Sequence, residues 1–324
     1  MLFALEPSRM LGEHIATSIG RPLSHHEERE FGGGEHKIRP LEEVGGRDVY
    51  VIHGLHGEPG NSANDKLIRL LFFINTLKDA GAARVTAITP YLAYSRKDRR
   101  TKPRDPVSSR YVAALFEAVG TDRIVTIEVH NVSAFENAFR LCRPEHVPVA
   151  GLFAEQLLSG LADQELAVVS PDTGGNKRAE LFRHELEKRL NRPVGKAIMD
   201  KHRSMGVVSG SLFAGDLTGK TAIIFDDLIS SGTTIVRAAK ACRDAGAVRV
   251  IAAAAHGMFP NDSPLLGPEG PDRLIVADTI PLAVDLPEGA RARIDVVSVA
   301  SLLGNVITRL HCGEAVSALI PYDC

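Results

Sequence analysis

The chain has 324 residues, of which 44% are hydrophobic and 24% are charged. This is the balance of an ordinary globular protein of about two domains, and it excludes collagen-like, coiled-coil and wholly disordered chains. The 38 basic and 40 acidic residues leave a formal net charge of -2, and only 5% of residues are aromatic. Neither the overall charge nor a supply of stacking rings therefore predicts a nucleic-acid-binding protein.

The cysteines and the N-terminus indicate the compartment. Cys142, Cys242, Cys312 and Cys324 are scattered and form no CxxC pair, which argues against a zinc site or a disulfide scaffold and favours a reducing compartment. The apolar start MLFAL is broken at Glu6 and lacks the basic region of a signal peptide. No apolar run approaches the roughly 20 residues of a membrane span. We therefore expect a soluble, cytoplasmic protein.

One stretch of sequence occurs twice. Leu77–Ala87 reads LKDAGAARVTA and Cys242–Ala252 reads CRDAGAVRVIA, and each passes from a helical pattern through a glycine to a strand. An apolar strand precedes each copy, at Arg47–Gly54 and at Thr221–Leu228. Strand, helix and strand in this order predict a βαβ unit with parallel strands and a right-handed crossover. Duplicated α/β domains explain the pattern better than chance similarity of two common corners.

Further elements follow the same alternation of helices and strands. We predict helices at Val107–Ala118, Asn176–Leu190 and Leu302–His311, and strands at Arg123–Val129, Leu166–Ser170, Arg273–Ala277 and Ile294–Val299. This order indicates an α/β fold with mainly parallel sheets flanked by helices. We place the domain boundary in RPEHVPVAG and expect domains at residues 1–147 and 148–324. Ligands of such sheets bind at the carboxyl ends of the strands.

A strongly basic loop follows the predicted strand Arg84–Pro90. Six of the nine residues from 96 to 104 are Lys or Arg, and we call this segment the basic loop. Such charge cannot be buried without partners, so we expect the loop to be mobile until an anion arrives. It either closes over a polyphosphate during phosphoryl transfer, or it is a solvated or RNA-binding loop. Its position at a strand end favours the polyphosphate.

Two strand ends carry groups suited to a metal ion and phosphates. His130 ends one predicted strand, and Asp172 follows another in SPDTGG. A carboxylate and an imidazole there can orient Mg²⁺ and its waters, although a structural histidine is an alternative. Lys201 and Arg203 follow the strand-like GKAIMD and project to the same side of an extended chain. Two cations there suit a charged transition state, and a surface turn is the alternative.

The segment from 226 to 234 has the composition of a sugar-phosphate site. Asp226 and Asp227 follow an apolar strand, and Ser230, Ser231, Gly232, Thr233 and Thr234 lead into a helix; we call residues 230–234 the phosphate loop. Backbone N–H groups, hydroxyls and the helix dipole favour a phosphate, while carboxylates accept hydrogen bonds from ribose hydroxyls. The segment resembles the phosphoribosyl-pyrophosphate signature of type I phosphoribosyltransferases.

Taken together, these motifs resemble the ribose-phosphate pyrophosphokinase family over nearly the whole chain. The matching segments include FGGGE at Phe31–Glu35, the basic loop, SPDTGG, DKHR at Asp200–Arg203, and FDDLISSGTT. The resemblance implies two tandem phosphoribosyltransferase-like domains, with a last helix able to pack back on the first. It also implies transfer of the β,γ-diphosphoryl group of ATP to O1 of D-ribose 5-phosphate, a requirement for Mg²⁺, and a homodimer or homohexamer.

The resemblance also implies roles for individual residues. The catalytic groups are Lys201, Arg203 and Arg96. ATP is bound by Phe31, Gly33, Glu35, Arg96, Lys97, Arg99 and His130, with Phe31 and Glu35 supplied to a neighbouring subunit. Ribose 5-phosphate is bound by Arg203, Asp226, Asp227, Ser230, Ser231, Gly232, Thr233 and Thr234. The Mg²⁺ ligands are His130 and Asp172.

Some positions depart from the family pattern, and two other functions compete. The family usually has Asp or Asn at Gly33 and Gln at Lys97, and these two changes open the question of nucleotide preference. Many members have Asp at Ser230, where a serine is still compatible with a phosphate loop. A phosphoribosyltransferase is one rival, but it needs neither a second such domain nor the basic loop. A non-catalytic regulatory subunit of a synthetase is the other, but such relatives typically lose the catalytic loop.

Overall fold

Two compact units make up the chain. The computed structural model describes residues 1–204, 207–283 and 285–319, and for residues 200–204, 207–212 and 318 the description is confined to the backbone. Unit 1 is Met1–Val147 together with the segment that begins at Val299, and unit 2 is Pro148–Ser298. No helix in the described ranges is long and apolar enough to cross a membrane.

Unit 1 contains a parallel sheet and a separate antiparallel hairpin. Its strands are β1 (Leu2–Ala4), β2 (His26–Glu30), β3 (His36–Pro40), β4 (Asp48–Ile52), β5 (Arg84–Thr89), β6 (Arg123–Ile127) and β7 (Arg143–Val147). Its helices up to residue 147 are α1 (Arg9–Ser18), α2 (Ala63–Asp79), α3 (Ser108–Ala118) and α4 (Val132–Glu136). The sheet order is β1-β4-β5-β6-β7 with every neighbouring pair parallel, and β2 pairs with β3.

Unit 2 repeats this plan with a longer sheet. Its helices are α5 (Ala150–Leu161), α6 (Asn176–Leu190), α7 (Thr233–Asp244) and α8 (Glu288–Arg291). Its strands are β8 (Leu166–Ser170), β9 (Gly195–Ser204), β10 (Val207–Ala214), β11 (Thr221–Ile229), β12 (Arg249–Gly257), β13 (Arg273–Ala277) and β14 (Ile294–Val297). The order is β10-β9-β8-β11-β12-β13-β14, in which β9 and β10 are antiparallel and the other pairs are parallel. The final helix, α9 (Ala300–Cys312), belongs to unit 1.

The apolar runs of the sequence explain the parallel sheets. Strands such as β4 and β12 are almost continuously apolar and buried, as is expected when helices cover both faces of a sheet. Phe73 of α2 packs edge-to-face on Phe3 in unit 1. Phe182 of α6 stacks on Phe225 in unit 2 at 4.2 Å between ring centroids. The predicted α/β class is confirmed.

The repeated corner has the same hydrogen bonds in both units. In unit 1, Asp122 accepts from Lys78 Nζ at 3.0 Å and from the N–H of Val85 at 2.7 Å. In unit 2, Asp272 accepts from Arg243 Nη2 at 3.0 Å and from the N–H of Val250 at 2.7 Å. Each aspartate thus fixes the end of a helix to the start of the following strand. The repeat in the sequence is therefore a repeat of structure.

Several elements differ from the sequence expectation. The helix Asn176–Leu190 and the strands Leu166–Ser170 and Arg273–Ala277 have the predicted bounds, whereas β1, α1 and the β2–β3 hairpin were not predicted. The segment RPEHV, which we expected to lie in a linker, forms β7 at the edge of the unit 1 sheet. Pro144 is tolerated there because an edge strand leaves one side without a partner. The helix predicted at Leu302–His311 begins earlier, at Ala300.

Candidate functional site

The phosphate loop joins β11 to α7 and is open to solvent. Ser230, Ser231 and Thr233 are exposed, and α7 begins at Thr233 after Gly232, an N-cap residue without a side chain to cap the helix. Gly232 has a φ of +80°, and a Cβ there would lie 2.6 Å from Ser263 Oγ, so only glycine fits. Ser263 Oγ also donates a hydrogen bond to the Ser231 carbonyl at 2.9 Å, and this contact holds the phosphate loop in place. Free N–H groups at a helix N-terminus form an anion site.

The two predicted ribose acids lie in the last part of β11, not beyond it. Asp226 pairs with Ala254 of β12, and the strand continues to Ile229. Both carboxylates approach Arg178 of α6: its Nη1 is 3.6 Å from Asp226 Oδ1 and 3.2 Å from Asp227 Oδ1. Burial and the neighbouring Asp227 charge raise the pKa of Asp226 to about 8, and Arg178 opposes that rise. The two acids are thus held next to the phosphate loop.

Asp172 shapes a second glycine-containing loop in unit 2. Its Oδ1 accepts a hydrogen bond from the N–H of Gly175 at 3.1 Å, and its carbonyl accepts from Ser170 Oγ at 2.6 Å. A Cβ on Gly174 would lie 3.3 Å from Asp172 Oδ1. The loop follows β8, which is the neighbour of β11 in the sheet. Asp172 therefore lies at the same sheet edge as Asp226 and Asp227.

Lys201 and Arg203 lie in β9, whose side chains from residue 200 onward are outside the described part. In the backbone register, Lys201 pairs with Ser211 and Arg203 with Val208 of β10. The sequence placed these cations after a strand, but β9 extends to Ser204 and includes both. Their predicted roles stay predictions.

The basic loop of unit 1 is organised by one carboxylate. Asp105 accepts hydrogen bonds from Lys97 Nζ at 2.6 Å, from Thr101 Oγ1 at 2.7 Å and from the backbone N–H groups of Thr101 and Lys102, each at 3.0 Å. Lys97 and Thr101 hold the pKa of Asp105 well below its usual range. We expected the loop to be mobile until an anion arrived, but Lys97 already pairs with Asp105, the residue directly after the loop. Arg96, Arg99 and three further cations of the loop are exposed: Arg100, Lys102 and Arg104.

His130 lies beside the basic loop at the carboxyl end of β6. It is exposed, and the backbone at Glu128, two residues earlier, has a φ of +43°. That conformation is uncommon for a residue other than glycine and turns the chain as the strand ends. Asn131 donates a hydrogen bond to Asp98 of the basic loop at 2.7 Å. His130 and the basic loop therefore share one edge of the unit 1 sheet.

The remaining predicted ATP residues lie at the tip of the β2–β3 hairpin. Phe31 is 43% exposed, Glu35 is exposed, and Gly33 has a φ of +86° in the turn between them. The hairpin packs on α2, where Arg69 pairs with Glu28 at 3.8 Å. Within the described residues, no hydrogen bond or ion pair joins Phe31, Gly33 or Glu35 to the basic loop. The structure thus leaves this exposed tip separate from the other unit 1 candidates.

Comparisons with known proteins give the family. Residues 1–120 match the model of the N-terminal domain of ribose phosphate pyrophosphokinase, and residues 167–321 match that of the phosphoribosyl synthetase-associated domain. Ribose-phosphate pyrophosphokinase 1 of Listeria monocytogenes is 34% identical over 327 residues, covering 98% of this chain and 96% of the relative. The chain belongs to the ribose-phosphate pyrophosphokinase family.

Two further relatives support this membership. The ribose-phosphate pyrophosphokinase of Caldanaerobacter subterraneus is 35% identical over 321 residues, with the same coverage of 98% and 96%. The crystal structure of the phosphoribosylpyrophosphate synthetase from Mycobacterium smegmatis superposes with a TM-score of 0.85 at 32% identity. It covers 97% of this chain and 99% of that protein. Family membership therefore extends over both units and agrees with the resemblance found from the motifs.

Three residues of the site were not predicted from the sequence. Asp105 and Asn131, which hydrogen-bond to the basic loop, gave no signal because single polar residues after a charged loop or a strand are common. Arg178 had a signal that could have been used. It is the third residue of α6, and a cation in the first turn of a helix opposes the helix dipole. Such a cation calls for an acidic partner nearby.

Proposed function

We propose that this protein is a ribose-phosphate diphosphokinase, which converts ATP and D-ribose 5-phosphate to phosphoribosyl pyrophosphate and AMP. O1 of the ribose attacks the β-phosphorus of ATP, and the bond between the β-phosphorus and the oxygen that bridges it to the α-phosphorus breaks. The β,γ-diphosphoryl group moves to the sugar, AMP leaves with the bridging oxygen, and the O1 proton is released. Family membership over both units supports this reaction.

One observation carries the assignment of the sugar phosphate. In unit 2, a loop with exposed hydroxyl groups leads into a helix N-terminus, and the preceding strand carries two carboxylates near its end. The loop fits the 5-phosphate, with Ser230 to Thr234 around it, and Asp226 and Asp227 fit the ribose hydroxyls. No other described strand end combines both features.

The cations fit the triphosphate. Arg96, Lys97 and Arg99 of the basic loop would neutralise its charge, with His130 beside them as a further donor. Lys201 and Arg203 would stabilise the charge that develops on the transferring group, since preorganised donors act most strongly in the transition state. Phe31, Gly33 and Glu35 would meet the adenine, and their exposed hairpin suits delivery to a neighbouring copy in a homodimer or homohexamer. The free cysteines Cys142, Cys242 and Cys312 suit a reducing, cytoplasmic setting.

The residues present fit a magnesium ion shared with substrate. Among the described residues, no group of three or more His, Cys, Asp or Glu could hold a metal alone. Mg²⁺ is usually held by one or two carboxylates together with substrate phosphates and water, so Asp172 suffices as an oxygen ligand. The family resemblance gives His130 of unit 1 as the other Mg²⁺ ligand, and its exposed imidazole would fit that role. When bound, Mg²⁺ would neutralise charge on the β- and γ-phosphates.

The test is AMP formation by the purified protein with Mg²⁺ and ATP, with and without ribose 5-phosphate. We expect AMP only when the sugar phosphate is present, and one phosphoribosyl pyrophosphate for each AMP. ADP in place of AMP would indicate transfer of a single phosphoryl group. No turnover with ATP or other nucleoside triphosphates would support a regulatory subunit, and consumption of phosphoribosyl pyrophosphate with a free base would indicate a phosphoribosyltransferase.

A further inference from the structure

Arg178 lies next to two adjacent acids, Asp226 and Asp227, at the proposed ribose site. The side chains of Arg178, Asp226 and Asp227 are 13%, 19% and 7% exposed, so their charges interact with little solvent between them. The two aspartates are neighbours on β11, where successive side chains usually point to opposite faces. Here one guanidinium nitrogen is within 3.6 Å of an oxygen of each. Arg178 therefore draws both carboxylates toward a single point.

Local structure alone does not explain this arginine. A cation in the first turn of a helix is placed against the positive end of the helix dipole. Two other arginines of this helix pair with acids on its own turns: Arg183 pairs with Glu180 at 2.6 Å and also with Glu187, and Arg189 pairs with Glu185 at 3.7 Å. Arg178 instead reaches across to the strand. The compensating interaction comes from Asp226 and Asp227, two acids in a buried place that would repel each other when both are ionised.

We propose that Arg178 is the positioning residue for ribose recognition: it fixes the carboxylates of Asp226 and Asp227 so that their remaining oxygens face the sugar hydroxyls. This inference rests on the proposed function, because it takes ribose 5-phosphate as the ligand of this site. The backbone contributes to the same arrangement, since the N–H of Asp227 donates to Asp226 Oδ1 at 2.9 Å. Each Oδ1 is thus turned to protein groups.

The experiment compares the binding of two sugars by calorimetry. Ribose 5-phosphate and 2-deoxyribose 5-phosphate share the phosphate but differ by one hydroxyl, so the ratio of their affinities reports hydroxyl recognition. We expect the wild-type protein to prefer ribose 5-phosphate, and Arg178→Met to weaken its binding by about tenfold or more. Binding of the deoxy sugar should weaken less, so that the ratio falls. Arg178→Lys, which keeps the charge, should restore part of the preference.

Arg183→Met is the matched control, because it removes a similarly buried arginine from the same helix. We expect it to leave the ratio of the two sugars unchanged. The proposal is overturned if Arg178→Met weakens both sugars by the same factor or neither, or if the wild-type protein does not distinguish them. Should Arg178→Met fail to fold, the ratio in Arg178→Lys decides in the same way. A protein that binds ribose 5-phosphate but releases no AMP would refute the proposed function without touching this inference.

Discussion

The strands β4 and β11 occupy equivalent places in the two units but end differently. Beyond β11, the phosphate loop is exposed and α7 starts with no side-chain cap. Beyond β4, His53 is fully buried with its Nδ1 3.3 Å from Ser8 Oγ, and burial lowers its pKa to about 3. The helix that follows, α2, is closed by its own capping box of Ser62 and Asp65. The connection between the strand and the following helix is thus exposed to solvent in unit 2 and filled by protein groups in unit 1.

The segments that follow β5 and β12 also differ, and here the strongly charged segment is the one in unit 1. After β5 comes the basic loop, with its exposed arginines gathered at the edge of unit 1. After β12 comes a segment rich in proline and glycine, in which Ser263 and Leu265 are buried against the phosphate loop. The second segment packs against the phosphate loop, whereas the first exposes cations to solvent. The strands and the DAG corners are thus alike in the two units, and the loops that follow the strands differ.

The largest effect should come from the cation that the family resemblance places at the reacting group. Lys201→Ala should lower kcat by about 100-fold or more, because it removes a charge that acts in the transition state. Lys196→Ala is the control, since Lys196 lies on the same strand β9 but pairs with Glu180 at 2.7 Å. Steady-state kinetics with both substrates would decide. Equal rates for the two variants would remove Lys201 from the mechanism.

Substitutions in either unit test the contrast between the N-termini of α7 and α2. Replacing Ser231 and Thr233 together by alanine should raise the KM for ribose 5-phosphate by about tenfold while changing stability little. Ser62→Ala should do the opposite, costing about 1 kcal/mol of stability through the lost N-cap and leaving that KM unchanged. Kinetics and thermal unfolding on the same preparations measure both. A raised KM in Ser62→Ala would contradict the view that the unit 1 site is closed.

Asp226 should make the free energy of unfolding depend on pH. The folded state holds a proton on Asp226 up to about pH 8, whereas the ordinary value is 3.8, so it binds more protons than the unfolded state between these values. The free energy of unfolding therefore falls as pH rises through that window. Asp226→Asn cannot ionise and should melt higher than wild type at about pH 9, by about 2–4 °C for each kcal/mol gained, with no difference near about pH 4. A difference independent of pH would refute the charge argument.

The smallest effect concerns Asp105, which pairs with Lys97 of the basic loop. Asp105→Asn leaves Lys97 without a carboxylate and weakens the hydrogen bonds that fold residues 101–105. We expect a few-fold change in the KM for ATP, with kcat and the KM for ribose 5-phosphate nearly unchanged, because an exposed ion pair is worth up to about 1 kcal/mol. Asp244→Asn, which breaks the exposed pair with Lys240 on α7, is a suitable control. A large loss of kcat would mean that Asp105 does more than shape the loop.

The sequence predicted the parts of the molecule that rest on local pattern. Periodicity gave α6 and the central strands, and composition gave the phosphate loop and its acids as one segment. The sequence did not predict β7, because a short edge strand that contains Pro144 has the composition of a linker. Its pairing with β6 is visible only in the structure. The sequence also did not predict that Arg178 pairs with Asp226 or that Lys97 pairs with Asp105. Those contacts depend on which groups the folded chain brings together, and residue type alone does not encode them.

The central claim is best tested by following the phosphorus atoms of ATP. In ³¹P NMR of a reaction with Mg²⁺, ATP and ribose 5-phosphate, we predict that a diphosphate attached to the sugar and the single resonance of AMP grow at the same rate. That result requires the β- and γ-phosphorus atoms to move together to O1. Growth of ADP resonances, or of AMP accompanied by free phosphate or pyrophosphate with no sugar diphosphate, would contradict the account.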